Sequence, residues 1–518
     1  MKRTGESVLL VVSFLFMIGL VFFGSIGKGS AEPRGVMKLA IHWDMRADYN
    51  DPSDGRENLT WFNLYLFHDA LVKPMPGQWF APCLAESWTI SKDHRVYEFK
   101  LRKGVKFHNG DEMTADDVVF SFKRYRGGRA EEIKNSIEKL EAPNPYLFRV
   151  TFKKPKLDFF EYFIPGDVTI GFVVPKKYIE KVGDEEYRKN PVGCGPYKFV
   201  EFKPGQVLVA EAFKDYWRKE PNIKRLEFDI VPEPATRYAM LKRGEVDVAT
   251  LMITELYDKV KADPTLRTAE PVASTVWSVY MGGQFDPKSP WADPRVRKAA
   301  SLAIDRELIA KLYQPGAPVE GNFGPKTDSN NVSFPPDPHD PAAAKKLLAE
   351  AGYPNGFNGG KFFPFDGFGP YWPMSEQVMN DLKAIGITFE LVRVDRPTFF
   401  TKRTAGEFKG GTWVEPVANL PVTQKLGYLL GGGGPSYGTY PDIQALWDKH
   451  QASTSEKERK DLITRVQKMY HDRTMFIIIC GGTSAAAIGP RPKGNLWKIP
   501  YAAWWVCPME DLELNSYN

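Results

Sequence analysis

Residues 84–125 constrain the fold most, because local signals follow one another there without a gap: LAESWTISKDHRVYEFKLRKGVKFHNGDEMTADDVVFSFKRY. Residues 87–91 read as a turn. Val96, Glu98 and Lys100 then alternate with Tyr97, Phe99 and Leu101, and that period of two gives a half-buried strand with the second set inward. Lys103-Gly104 turns the chain into a second short strand, 105–108. Asn109-Gly110 turns it again, because both residues tolerate positive φ. Thr114 stands three residues before Asp117, and an apolar run opens at Val118. Thr114 therefore caps a helix whose positive end also meets Asp117. Lys123, Arg124 and Arg126 lie at its other end. Strand, strand, turn and capped helix make a small α+β unit, around which the rest must be built.

The 518 residues exceed one core, so two to four structural units are expected. A formal charge of +5 with interspersed signs is too mild to point to nucleic acid or a membrane surface. Lys2 and Arg3 precede an uncharged apolar run, 8–27, and small Gly29-Ser30-Ala31 is followed by Glu32-Pro33. This is the pattern of a signal peptide, 1–31, cleaved after Ala31; the run is long, so a retained anchor is the competing reading. No cysteine near the junction suggests a lipid-modified terminus. Cys83, Cys194, Cys480 and Cys507 have no metal-ligand spacing. Export permits disulfides, sequence leaves the pairing open, and buried free thiols are an equal alternative. If pairs form, Cys480 with Cys507 is preferred, because both flank the C-terminal return.

Downstream, strands and helices alternate, which argues for α/β architecture. A hairpin is expected at 197–202 and 207–213, then a strand at 226–231, a helix at 235–243 stopped by Gly244, and a strand at 245–249. Asp293-Pro294 and Asp340-Pro341 each open a helix. Strands near 361–365, 387–394, 412–414 and 475–480 are separated by helices at 375–385, 443–451 and 456–472. The last of these is introduced by a Ser455–Glu458 capping box. The Pro-rich stretch 315–338 reads as a surface loop.

No catalytic constellation emerges. The seven histidines are scattered, and the one GxSxG match, around Ser436, lacks the strand and helix a nucleophile elbow requires. No cofactor or metal motif is present. A binding cleft instead needs aromatic and polar groups at strand ends. Trp43, Asp44 and Tyr49; Trp277 and Tyr280; Asp366, Tyr371 and Trp372; and Trp413 with Glu415 fit that description. Acids such as Asp44, Asp366 or Glu415 would select a cationic group on the ligand.

The phrases Leu84-Ala85-Glu86-Ser87-Trp88, Lys103-Gly104-Val105-Lys106-Phe107-His108-Asn109-Gly110 and Thr114-Ala115-Asp116-Asp117-Val118 closely resemble a signature of one family. Asp293-Pro294-Arg295-Val296-Arg297-Lys298-Ala299 and Ala303-Ile304-Asp305-Arg306 match it again. It is the dipeptide-, oligopeptide- and nickel-binding solute receptors of ABC importers, the family 5 solute-binding proteins. The resemblance implies a two-lobed periplasmic-binding-protein fold of class II type with an added α+β subdomain. Lobe I would comprise 36–81, 191–274 and 481–518, the subdomain 82–190, and lobe II 275–480. It implies a monomer outside a bacterial inner membrane that captures a peptide or other small organic solute and delivers it to permease subunits. The family's Gly-Thr-Gly-Pro-Tyr is here Gly193-Cys194-Gly195-Pro196-Tyr197. The aspartates that follow the Trp413 strand in peptide-binding relatives are absent, and Glu415 is the only acid there. A membrane-anchored sensor ectodomain on the same scaffold, and a secreted hydrolase, are the alternative functions.

Overall fold

The structure, a computed structural model, describes residues 32–42, 45, 50–54, 60–76, 78–163, 168–269, 273–324, 328–366, 370–418, 420–430, 438–483, 485–494, 496 and 508–516. The segment 1–31, Trp43, Asp44, Tyr49, Ser436 and Cys507 lie outside this set, as does the side chain of Asp366.

Among the described residues the first sheet has seven strands, in the order Arg267–Thr268, Ala487–Ile488, Val248–Ala249, Arg34–Ile41, Ile223–Ile230, Val207–Ala212 and Tyr197–Lys203. Arg34–Ile41 runs parallel to both Ile223–Ile230 and Val248–Ala249. Parallel neighbours need a crossover, and the helix Pro234–Lys242 supplies it, stopping at Gly244 with φ +71°. The second sheet has five strands, ordered Ile387–Leu391, Phe357–Phe362, Thr412–Ala418, Ala273–Met281 and Phe476–Thr483. Its first three are parallel, and Ala273–Met281 runs antiparallel to both of its neighbours. The chain thus passes from the first sheet to the second between Ala269 and Ala273, and back between Thr483 and Ala485. Residues between Trp277 and Cys480 supply a core of their own.

The third sheet is antiparallel: Ala85–Ile90, Val96–Leu101, Leu147–Phe152 and Ile137–Asn144. It shares its core with the first sheet. Tyr97, Phe99 and Leu101 face inward as their alternation predicts, each 1% exposed or less. Each such side chain contributes about 2–3 kcal/mol on burial. Two local expectations are corrected. Residues 87–91 are not a turn; most of them belong to the strand Ala85–Ile90. Residues 105–108 form only a single bridge, Lys106 to Glu112, because the Gly104 and Gly110 turns at φ +71° and +93° leave no room for a ladder. The helix Ala115–Arg124 starts at Thr114, whose N–H and hydroxyl both donate to the Asp117 carboxylate at 2.9 and 3.0 Å.

The signature histidine is structural. His108 Nε2 donates to Gly195 O at 3.0 Å, and Nδ1 accepts from Gly193 N–H at 3.3 Å. Gly193 and Gly195 pack on 67–68 so closely that a Cβ would lie 2.0 Å from Phe67 O and 2.5 Å from Phe67 C, respectively. The Cys480–Cys507 pairing is also corrected. Cys480 is a free, buried thiol, set opposite Trp277 in mid-strand and pushed up to about 12 by burial. Cys83 and Cys194 are free and buried as well.

Candidate functional site

The register places the crossings at the C-terminal edges of both sheets. Ala487, just past the second crossing, pairs with Ala249 at its strand's end. In the other sheet Ala273 pairs with Thr483, and Thr275 with Ala418 at the end of the Thr412–Ala418 strand. Carboxyl ends of parallel strands are where open α/β sheets hold ligands.

On the first sheet this edge carries His42 and Thr250, joined Nδ1 to Oγ1 at 3.0 Å. Behind them the buried Arg237 guanidinium donates to the carbonyls of Thr250, Val231, Pro232 and Leu251 at 2.6–2.8 Å. Four carbonyls just beyond strand ends are thereby satisfied by one side chain. Burial and the positive charges of Arg237 and Arg396 hold the His42 imidazole well below its ordinary value. Arg396 belongs to the other sheet's side, at the start of the helix Arg396–Thr404. Its charge is felt at His42, and the two sides of the molecule meet directly where the Thr254 hydroxyl donates to Leu312 O at 3.0 Å.

On the second sheet Ser278, Tyr280, Trp413 and Glu415 share one face, because Tyr280 pairs with Trp413 and Ser278 with Glu415. Tyr280 stacks on Trp413 at 5.6 Å and 16°. Trp413 Nε1 donates to Glu415 Oε2 at 3.1 Å, and Arg403 Nη1 lies 3.5 Å from Glu415 Oε1. Arg403 also donates to Tyr428 Oη at 2.8 Å. Burial raises the Glu415 carboxyl, against the pull of Arg403 and Trp413. On the opposite face Trp277 meets Tyr371 edge-on at 4.6 Å. Trp372, half-buried, lies under the Arg393 guanidinium at 4.0 Å, within cation–π range.

The expectation for several residues changes accordingly. Trp413 is fully buried, and Trp277, Tyr280, Tyr371 and Glu415 are each 4% exposed or less. Trp277 covers Tyr371, Tyr280 covers Trp413, and Glu415 holds the Trp413 Nε1 and faces Arg403, so they form a wall rather than open contact surfaces. Glu415 in particular is not a free acid awaiting a cation, since its charge is already matched by Arg403. Trp372 is the expected residue that retains an accessible surface. Trp43, Asp44, Tyr49 and the Asp366 side chain lie outside the described residues.

Arg403 and Tyr428, with Gln424 and Lys425 beside them, were missed. They ride on the helices Arg396–Thr404 and Val422–Leu430, neither of which is expected from the pattern. Asp395 followed by Pro397 is a cap signal of the type read at Asp293, and its side chain does accept from Thr398 N–H at 2.9 Å. A separate pocket of about 460 Å3, with Lys361, Lys402, Glu407 and Lys409 around Phe363 and Phe408, opens at the far edge of the same sheet. Among the described residues no three of His, Cys, Asp and Glu gather to hold a metal ion.

Two α/β sheets joined by two crossings, each turning its strand ends to the other, with a third α+β sheet on the first, define a two-lobed solute receptor of the periplasmic-binding-protein type. Residues 80–420 match the bacterial extracellular solute-binding proteins, family 5, and the chain belongs to that family. Heme-binding protein A of Haemophilus influenzae is 30% identical over 448 residues, spanning 80% of this chain and 81% of that protein. The dipeptide-binding protein of Escherichia coli is 27% identical over 455 residues, spanning 80% and 83%. Among solved structures, the periplasmic binding protein DppA of Helicobacter pylori in complex with the peptide STSA superimposes with a TM-score of 0.78 at 23% identity, over 93% of this chain and 99% of that one. Members of this family capture small ligands and work with ABC transporter permeases.

Proposed function

We propose that this chain captures a peptide or a peptide-sized organic solute between two lobes and presents it, without turnover, to a permease. The lobes are 36–81 with 191–274 and 481–518, and 275–480; residues 82–190 are a module carried by the first. The observation that carries this reading is the strand-end geometry, in which both sheets turn their carboxyl edges toward the crossings and Arg396 reaches the field of His42. Closure about two crossing segments is a hinge motion. Trp372 supplies a contact, the residues Trp43, Asp44, Tyr49 and Asp366 expected from the sequence add to it, and the Trp413–Glu415 wall stiffens the floor behind Trp372.

Several observations bear on the setting. Relatives carry names for dipeptides, heme and nickel, and the last is named periplasmic. No helix among the described residues is long and apolar enough to cross a membrane. We place the monomer outside the inner membrane, exported by residues 1–31. Mass spectrometry of solute released from the purified protein, with scattering to follow compaction on rebinding, tests this. A released peptide-sized solute that compacts the protein is expected; conversion of that solute to product would overturn it.

A further inference from the structure

The helix Val422–Leu430 carries two side chains that the fold leaves unmatched. Lys425 is fully buried and its Nζ has no hydrogen-bond partner. Gln424 is 2% exposed, and neither its Oε1 nor its Nε2 has one. The Lys425 Nζ lies 5.8 Å from the Phe476 ring centre, at the outer limit of a cation–π contact. Buried polar groups in native proteins are almost always paired, and a lone one calls for a specific explanation.

The placement supplies that explanation. The helix starts beyond the Thr412–Ala418 strand end, at the edge where the crossings lie, and leads into the glycine run 431–434. Its Thr423 hydroxyl acts on the Glu161 carboxyl of the 82–190 module, opposing its rise, and Gly427 lies on the same side, where an added Cβ would meet the Arg129 guanidinium at 3.5 Å. Gln424 and Lys425 fall on another side, shared with Tyr428 at spacings of four and three residues. Tyr428 on that side accepts from Arg403 at 2.8 Å, and Lys425 faces the Phe476 ring. Glu415 is matched by Arg403, so the buried cation on Lys425 lacks a counter-charge.

We propose that Gln424 and Lys425 anchor an acidic group of the solute. A carboxylate entering between this helix and the second sheet would accept from the Lys425 ammonium and from the Gln424 amide. This rests on the receptor reading above and narrows it to solutes bearing a carboxylate. Without solute the amine is unmatched and the helix closes on it; with solute the pair is complete, so binding discriminates sharply against neutral analogues. Burial alone draws the Lys425 ammonium down to about 7. Acid binding above that pH therefore draws one proton from solution.

The test compares wild type with K425M, whose side chain has similar length and no charge. Calorimetry with the dipeptides Ala-Glu and Ala-Gln, and with the C-terminal amide of Ala-Gln, separates a side-chain carboxylate from a terminal one. Wild type is expected to prefer the acid member of one pair by about tenfold or more. At about pH 8, titrations in buffers of different ionisation enthalpy should show proton uptake. K425M should lose both the preference and the uptake, yet melt no lower than wild type, because an unmatched buried amine has been removed. Equal affinity for acid and amide in wild type, or retained preference in K425M, overturns the anchor while leaving the receptor reading intact. If wild type binds none of the three, the peptide reading fails, and the melting temperature decides the anchor: a K425M protein that melts lower shows Lys425 to be structural and overturns it.

Discussion

Arg403 Nη1 lies 3.5 Å from Glu415 Oε1 and joins a helix to the middle of the strand that carries Trp413. Removing one partner of a buried pair leaves a lone charge, so R403M should destabilise by about 3 kcal/mol. The sign with pH follows from burial, which raises the Glu415 carboxyl above its ordinary 4.5. Protonation then favours the folded state; the contribution is greatest below that value and weakens as pH rises through the raised one. Urea denaturation should therefore find R403M more compromised at alkaline than at acid pH, and E415Q should remove the difference.

Asp51 is fully buried and faces three arginines. Arg124 is bidentate on it at 2.5 and 2.6 Å, and Arg188 and Arg126 stand at 3.6 and 4.0 Å. Arg124 also bonds to Asp184, so this cluster fastens the helices Ala115–Arg124 and Asp184–Lys189 to residues 50–54. D51N should cost about 3–5 kcal/mol. Limited proteolysis should find earlier cleavage within 115–190, and wild-type resistance there would show that the cluster is not what fastens the module.

His68 and His108 are neutral in the fold. Burial lowers them from 6.5 to about 4 and about 3, and the His108 ring uses one nitrogen as donor and the other as acceptor. The unfolded chain takes up protons first, so their contribution is complete above pH 6.5 and is lost as pH falls toward those lowered values. Each should forfeit about 2 kcal/mol by about pH 5. H108Q keeps a donor and an acceptor without titrating. Its stability should decline less steeply than that of wild type in denaturant titrations between neutral and acid pH.

What sequence alone conveyed follows the range of the interactions involved. Tyr97, Phe99 and Leu101 were legible because their inward face is set by neighbours two residues apart. Thr114, Asp293 and Asp340 were legible because a cap acts within three residues. Trp413 was read as a contact surface, since an aromatic at a strand end gives no sign of which side is covered. That is decided by pairing with Tyr280, more than a hundred residues away. Glu415 was read as a cleft acid, and Arg403 and Lys425 were not singled out, for the same reason: hydrophobic pattern assigns charged residues to solvent, and only tertiary packing buries them. The helix Val422–Leu430 was missed because Gln424 and Lys425 interrupt its apolar run, and those two residues carry the proposed anchor.

Glu161 offers a test of closure itself. In the lobes proposed above it falls on the first and Thr423 on the second, and it is pushed from 4.5 up to about 8 by burial and by the nearby charges of Asp158 and Asp328, with Arg459 and the Thr423 hydroxyl opposing. Opening the lobes would separate it from Thr423 and Asp328 and return it toward its ordinary value. The closed form then binds more protons than the open one. Protonation supports closure fully below pH 4.5, and that support is lost as pH rises to about 8. Solute affinity should accordingly fall across this window, beyond any change due to the solute's own titration. E161Q keeps the shape but cannot ionise. It should bind more tightly than wild type at neutral pH and above, with a flatter profile. A profile in E161Q as steep as in wild type would mean that closure does not pass through this contact.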